Sequence, residues 1–179
     1  MEKKIRIRLP LDEKTAVSLK AGDSVLLSGT VYAARDEAHE NMVKLLDEGK
    51  ELPFDIRDAS VYYVGPAPAA PGQVIGPAGP TTSGRMDAYT PRLLDQGLRG
   101  MIGKGERSDE VIEAMKRNKA VYFAAVGGAG ALLSKRIISQ EVIAWEELGP
   151  EALRKMQVED FPAIVVIDAE GNDLYRRTE

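Results

Sequence analysis

Charged and apolar side chains alternate over Lys4–Leu9, with Ile5, Ile7 and Leu9 on one side, and this period of two predicts a half-buried strand. Ala21-Gly22-Asp23 is a turn signal, and the apolar Val25-Leu26-Leu27 inside Ser24–Ser28 predicts a second strand that Gly29 ends. From about Ala33 to Glu48 the period changes. Ala34, Ala38, Met42 and Leu45 recur at steps of three and four, the stripe of an amphipathic helix, and Gly49 lies just past its end. Ala59–Val64 reads as a strand from its β-branched and aromatic content.

Periodicity then disappears. Gly65–Gly84 is rich in Gly, Pro and Ala, a length without clear periodicity that marks either a disordered or a functional loop. A helix is expected over Met86–Leu94, a short strand over Leu98–Ile102 and a turn at Gly103-Lys104-Gly105. Ser108 followed by Asp109 and Glu110 has the chemistry of an N-cap with acidic first-turn residues, predicting a helix to about Arg117. Ala120–Val126 reads as a buried strand, and Gly127-Gly128-Ala129-Gly130 leads into the helix-like Ala131–Ile137. Glu151–Met156 reads as a short helix and Phe161–Asp168 as a strand; Glu170-Gly171-Asn172 then turns into Asp173–Arg176 as a hairpin. Strands alternating with moderate helices over 179 residues predict a layered, mixed α/β or α+β domain of about six to eight strands, one domain over 1–179.

Composition narrows the possible chemistry. The chain is 44 % hydrophobic with net charge −4 and pI about 5.2. That balance argues against nucleic acid or an anionic membrane as the main partner, while allowing a local cationic pocket for a small anion. No cysteine is present, so no disulfide, thiolate-held metal or iron–sulfur cluster can be built from this chain alone, and the single His39 cannot make a multi-histidine metal site. No apolar run approaches the roughly 20 residues of a membrane span, and the charged start lacks the apolar region of a signal peptide, so the expectation is a cytoplasmic protein.

Four stations have candidate chemistry. Arg35 and His39, four apart, share a face near a helix start; Arg35 reads either as a surface cation paired with a carboxylate or as a fork for a carboxylate, and His39 either as a structural imidazole or as a proton-exchanging one. Thr81, Thr82 and Arg85 close the Pro/Gly loop just before a helix, where exposed backbone N–H groups and hydroxyls suit an anion as well as a cap. Lys104 stands between glycines after a strand, outside any Walker pattern. Gly127–Gly130 lacks the last glycine of a dinucleotide fingerprint, so close helix–strand packing explains it as well. Two cationic clamps would hold a dicarboxylate, yet these residues offer no strong base paired with a Lewis acid: they make half an active site.

The motifs Leu27-Ser28-Gly29-Thr30 with Arg35-Asp36-Glu37-Ala38-His39, Tyr63-Val64-Gly65-Pro66, Gly79-Pro80-Thr81-Thr82-Ser83-Gly84-Arg85-Met86-Asp87, Met101-Ile102-Gly103-Lys104-Gly105, Ala125-Val126-Gly127-Gly128-Ala129-Gly130 and Val158-Glu159-Asp160-Phe161-Pro162-Ala163 run in order along nearly the whole chain. With them the sequence resembles the β subunit, or C-terminal domain, of the class I iron–sulfur fumarases and L-tartrate dehydratases. The resemblance implies a swivelling β/β/α domain and reversible addition of water across a dicarboxylate double bond. It implies a 4Fe–4S cluster with one open iron, held by cysteines of a partner α subunit and not by this chain, in a hetero-oligomer. By motif position Arg35, Arg85 and Lys104, with Thr82 beside them, would bind substrate carboxylates. Thr81 would stand near the carbon that exchanges a proton, and His39 would transfer a proton or position a neighbour. Fumarate is the expected substrate, with tartrate or a mesaconate-type diacid as alternatives, and a non-catalytic anion-binding module as the competing class.

Overall fold

The computed structural model of the chain describes residues 4–126 and 130–176. Its strands are β1 (Ile5–Arg8), β2 (Ser24–Ala33), β3 (Ser60–Tyr62), β4 (Gly100–Gly103), β5 (Val121–Ala125), β6 (Ile137–Ala144) and β7 (Leu153–Ile167). The helices are α1 (Glu13–Ser18), α2 (Asp36–Asp47), α3 (Thr90–Asp95), α4 (Asp109–Asn118) and α5 (Gly130–Ser134). All seven strands form one sheet. β2, β3, β4 and β5 are parallel neighbours, and the long β7 runs antiparallel to both β5 and β2. It therefore closes these strands into a ring, a mixed α/β, barrel-like arrangement in which most edges are paired. β1 lies parallel to the first half of β2, and β6 antiparallel to the first half of β7.

The pleat sends alternate side chains to opposite faces. Tyr62, Ile102 and Phe123 join an apolar cluster with Leu27, Val158, Phe161 and Val165. Their chain neighbours Val61, Met101 and Tyr122 join a second cluster with Met42 of α2, Leu93 and Leu94 of α3, and Val111 and Met115 of α4. Helices thus cover one face of the ring strands, as parallel strands require. Among the described residues no helix is long and apolar enough to cross a membrane.

Several local expectations are corrected by long-range pairing. Gly29 does not end β2. It takes φ +131° at a register shift against β7, and a Cβ there would lie 2.7 Å from the Leu9 carbonyl oxygen, so it is a bulge glycine within a strand that continues to Ala33. Glu151–Met156 is not a helix; from Leu153 it belongs to β7, held between β2 and β6. The helix expected over Met86–Leu94 is split into a 3-10 turn, Ser83–Met86, and α3, because Pro91 starts a new helix in its first turn. The helix-like Ala131–Ile137 is helical only to Ser134, and Ile137 opens β6. At the C-terminus Asp173 bridges to Ile167, but a 3-10 turn over Leu174–Arg176 replaces the second hairpin strand. The buried Asp168 carboxylate holds the preceding turn, residues 168–172, by accepting from the N–H groups of Glu170 and Asn172, and ties it to the Ala21 N–H. Gly127–Ala129 lie outside the described residues.

Candidate active site

Parallel strands place every strand-to-helix loop at one end of the sheet, where ligands collect in α/β proteins. Arg35 follows the end of β2, the Gly65–Gly84 loop follows β3, and Lys104 follows β4. Three stations that are far apart in sequence therefore lie on neighbouring strand ends.

Arg35 is the N-cap residue of α2, and its side chain makes no capping bond. Asp36 and Glu37 supply negative charge to the first turn, and the Glu151 carboxylate accepts the Glu37 N–H at 3.1 Å. The Arg35 side chain is thus free to run elsewhere, and it runs over Gly65. A Cβ on Gly65 would come within 2.7 Å of Arg35 Cδ and 2.9 Å of Nη1. Buried Nε of Arg35 has no hydrogen-bond partner among the described residues. Arg85 reaches the same helix start and pairs with the Asp36 carboxylate. Arg85 is half exposed, so this pair is one that a stronger carboxylate ligand can displace.

Thr81, Thr82 and Lys104 are joined through the backbone. The Thr81 N–H donates to the Tyr63 carbonyl at 2.8 Å, and Thr82 forms a parallel bridge with Lys104. The Ser83 N–H donates to the Lys104 carbonyl at 2.8 Å, and the Lys104 N–H donates back to Ser83 Oγ at 3.0 Å. Arg85 follows Ser83 by two residues, at most about 7.6 Å between Cα atoms. Thr82, Arg85 and Lys104 are exposed and Thr81 is partly so. The loop before them is not slack: the Tyr62 hydroxyl donates to the Ala78 carbonyl, and Ile75 and Ala78 are buried in the first core cluster. The structure thus brings Arg35, Thr81, Thr82, Arg85 and Lys104 to one ridge.

His39 sits differently. It is fully buried, one turn into α2, against the rings of Tyr63 and Tyr89 at 5.5 and 6.2 Å between centroids. Its Nδ1 lies 2.8 Å from the Arg35 carbonyl oxygen. A carbonyl can only accept, so Nδ1 carries the proton and Nε2 is a buried acceptor, which has no partner among the described residues. Burial pushes its pKa down to about 4 against the supporting effect of the Arg35 carbonyl, with Arg107 lowering it further. The imidazole is neutral near pH 7. Because the unfolded chain takes up that proton first, the stability linked to His39 is complete above about pH 6.5. It is lost as pH falls towards 4, amounting to about 3 kcal/mol over that window. Denaturant titrations from pH 7 to 4.5 should show this slope in the native chain and a shallower one in His39→Gln; His39 is the chain's one imidazole. Equal slopes would contradict the assignment.

Sequence reasoning missed what lies beneath the ridge. Arg107 is 2 % exposed. Its Nε donates to Asp87 Oδ1 at 2.7 Å, and Nη2 donates to the Tyr63 hydroxyl at 3.1 Å and Thr90 Oγ1 at 3.2 Å. Its guanidinium lies 5.1 Å from the Tyr63 ring centroid and 4.8 Å from that of Tyr122. The other Asp87 oxygen accepts the Ser108 N–H, so the N-cap of α4 is fastened to the same group. The ordinary-looking run Glu106–Glu110 contains no signal that its arginine is internal.

A cavity of about 500 Å³ bounded by Leu46, Leu52, Phe54 and Gln96 lies away from the ridge, at the far end of α2. Among the described residues no group of three or more His, Cys, Asp or Glu side chains could hold a metal ion.

The sequence profile of the family described as Fumarase C-terminus matches residues 1–178. Fumarate hydratase 2 of Leishmania major is 38 % identical over 179 residues, covering 98 % of this chain and 32 % of that protein. The anaerobic class I fumarate hydratase of Escherichia coli is 42 % identical over 153 residues, covering 84 % of this chain and 28 % of that protein. A putative L(+)-tartrate dehydratase subunit beta of Methanocaldococcus jannaschii is 35 % identical over 171 residues, 92 % of this chain and 88 % of that protein. The chain therefore spans about a third or less of these fumarate hydratases, and most of the tartrate dehydratase subunit.

Proposed function

The chain belongs to the Fumarase C-terminus family, and from that premise we propose that it is the β subunit of a class I hydro-lyase that reversibly hydrates fumarate to malate, working with a partner α subunit. The observation that carries this reading is the ridge itself: Arg35, Arg85 and Lys104, from three different loops, lie with Thr81 and Thr82 at the ends of adjacent parallel strands. A small diacid needs two separated cationic sites, and in a chain whose overall net charge is −4 a local cluster of three cations is a specific feature.

A 4Fe–4S cluster of the class I type does not fit this chain's own donors. It has no cysteine, and its one histidine is buried with Nδ1 engaged. The cluster belongs to the partner α subunit in this reading.

The residues of this chain bind and orient. The Arg35 and Arg85 guanidinium groups take carboxylate oxygens as planar forks, and Lys104 adds a point charge. Thr81, fixed by its backbone bond to Tyr63, holds its hydroxyl at the carbon that gains or loses a proton. A Thr hydroxyl is a weak base, and neighbouring cations lower the cost of any negative charge that develops on it. His39 is a positioning residue, because its neutral ring fixes the Arg35 carbonyl and faces no open space.

The second reading, a tartrate dehydratase subunit, is favoured by coverage: the chain spans 88 % of the tartrate relative and 28 % of the Escherichia coli fumarate hydratase. Co-expression with the cluster-bearing partner, followed by anaerobic assays of fumarate, L-tartrate and mesaconate, tests both. Oxygen-sensitive fumarate hydration by the assembled enzyme is expected, with no turnover by this chain alone. Turnover by the isolated, iron-free chain would overturn the proposal, and preference for tartrate would select the second reading.

A further inference from the structure

Ser83 grips both backbone polar groups of Lys104: its own N–H donates to the Lys104 carbonyl, and its Oγ accepts the Lys104 N–H. The same Oγ lies 2.7 Å from the hydroxyl of Tyr122 on β5, and that hydroxyl lies 2.8 Å from the Gly105 carbonyl oxygen. Only one arrangement of protons satisfies this chain of contacts. The Gly105 carbonyl can only accept, so the Tyr122 hydroxyl donates to it. Tyr122 then has no proton left for Ser83, so the Ser83 hydroxyl donates to the Tyr122 oxygen. The Ser83 oxygen in turn accepts from the Lys104 N–H. Every donor is used once, and the Lys104-Gly105 segment is held from both sides.

The surroundings enforce the arrangement. Ser83 and Tyr122 are fully buried. A Cβ on Gly103 would lie 2.0 Å from Ser83 Oγ, so only glycine leaves room for this serine below the strand end. The Arg107 guanidinium stacks over the Tyr122 ring and fixes its plane. Burial pushes the Tyr122 hydroxyl pKa upwards, which keeps it a neutral donor across the working pH range. Since all its protons are committed, the chain is a fixture and not a proton relay.

We infer that Ser83 and Tyr122 are positioning residues for substrate binding, acting through Lys104. The inference rests on the reading that Lys104 contacts a substrate carboxylate. Its consequence is specific: loss of the Tyr122 hydroxyl loosens the Lys104 loop and weakens diacid binding, whereas a merely structural hydroxyl would change stability alone.

The test is a four-way comparison in the complex assembled with the partner subunit: native, Tyr122→Phe, Lys104→Ala and the double variant. Tyr122→Phe keeps the ring and its stacking, and should raise KM for the diacid roughly 3- to 10-fold with kcat within about twofold, the size of one lost hydrogen bond. In the Lys104→Ala background the same change should add nothing. An unchanged KM in Tyr122→Phe, or a KM increase that multiplies in full on Lys104→Ala, overturns the inference while leaving the clamp intact. Lys104→Ala with native KM and kcat overturns the Lys104 clamp itself, and the inference with it. Should Tyr122→Phe fail to assemble, Ser83→Ala takes its place in the same comparison with the same expected outcomes.

Discussion

Replacing Arg107 by Ala should lower the stability of the folded chain by about 3–5 kcal/mol, the range for stranding one partner of a buried ion pair. The side chain is wholly internal and serves Asp87, the Tyr63 hydroxyl and Thr90 at once. Its removal leaves a carboxylate that is only 17 % exposed without its cation, two hydroxyls short of a partner, and a cavity between two tyrosine rings. Domains are stable by only about 5–15 kcal/mol in all, so the variant should stand near the limit of folding at room temperature. Urea titration is the measurement: the midpoint should fall sharply while the slope stays constant. Arg92→Ala is the control. Its pair with Asp47 is about half exposed on both sides, and its loss should cost about 1 kcal/mol or less. Similar losses in the two variants would show that the Arg107 network does not hold the floor of the site.

The contrast between these two arginines marks where sequence reading stops. Elements with a local cause were legible. The alternation of β1, the apolar stripe of α2 and the Ser108 cap of α4, whose Oγ does accept the Val111 N–H, are written in adjacent residues. Elements made by distant partners were not. Leu153 and Met156 are three apart and read as helical, but β2 and β6 draw them into a strand. Gly29 reads as a terminator because nothing local reveals the Leu9 backbone packed against it. The candidate site divides in the same way. Its exposed ridge was legible because glycine-rich connections after strands leave a signature. Its buried support, Ser83, Tyr122 and Arg107, was invisible, since tertiary packing alone decides that this arginine among several charged neighbours is internal and that this tyrosine meets this serine. His39 lies between the two cases. Its spacing from Arg35 is legible, but only the fold shows that its Nδ1 bonds the Arg35 carbonyl.

Within the ridge, Arg35 should matter more than Arg85, for a reason in their surroundings. Arg85 already has Asp36 as a counter-ion, so part of what a substrate carboxylate gains there is offset by the pair it displaces. Arg35 has no carboxylate within ion-pair distance among the described residues, and its buried Nε is unpartnered. A guanidinium nitrogen that is buried without a partner is costly to maintain. An incoming carboxylate that satisfies it recovers that cost in the bound state, so binding there is stronger per contact. Two charge-assisted bonds of about 1.5–3 kcal/mol each set the scale. Arg35→Ala in the assembled enzyme should lower kcat/KM about a hundredfold or more, and Arg85→Ala at least about tenfold. Arg35→Lys should recover little, because an ammonium lacks the planar fork. The extended run of Arg35 over Gly65 supplies a second route to the same result. Gly65→Ala places a methyl group within 2.7 Å of Arg35 Cδ and should reproduce part of the Arg35→Ala loss while every cation remains present. Steady-state kinetics of these four variants, with unfolding midpoints measured alongside, would separate aim from charge. If Gly65→Ala and Arg35→Ala both turn over at the native rate, the carboxylate is not held at Arg35, and the order of importance argued here is reversed.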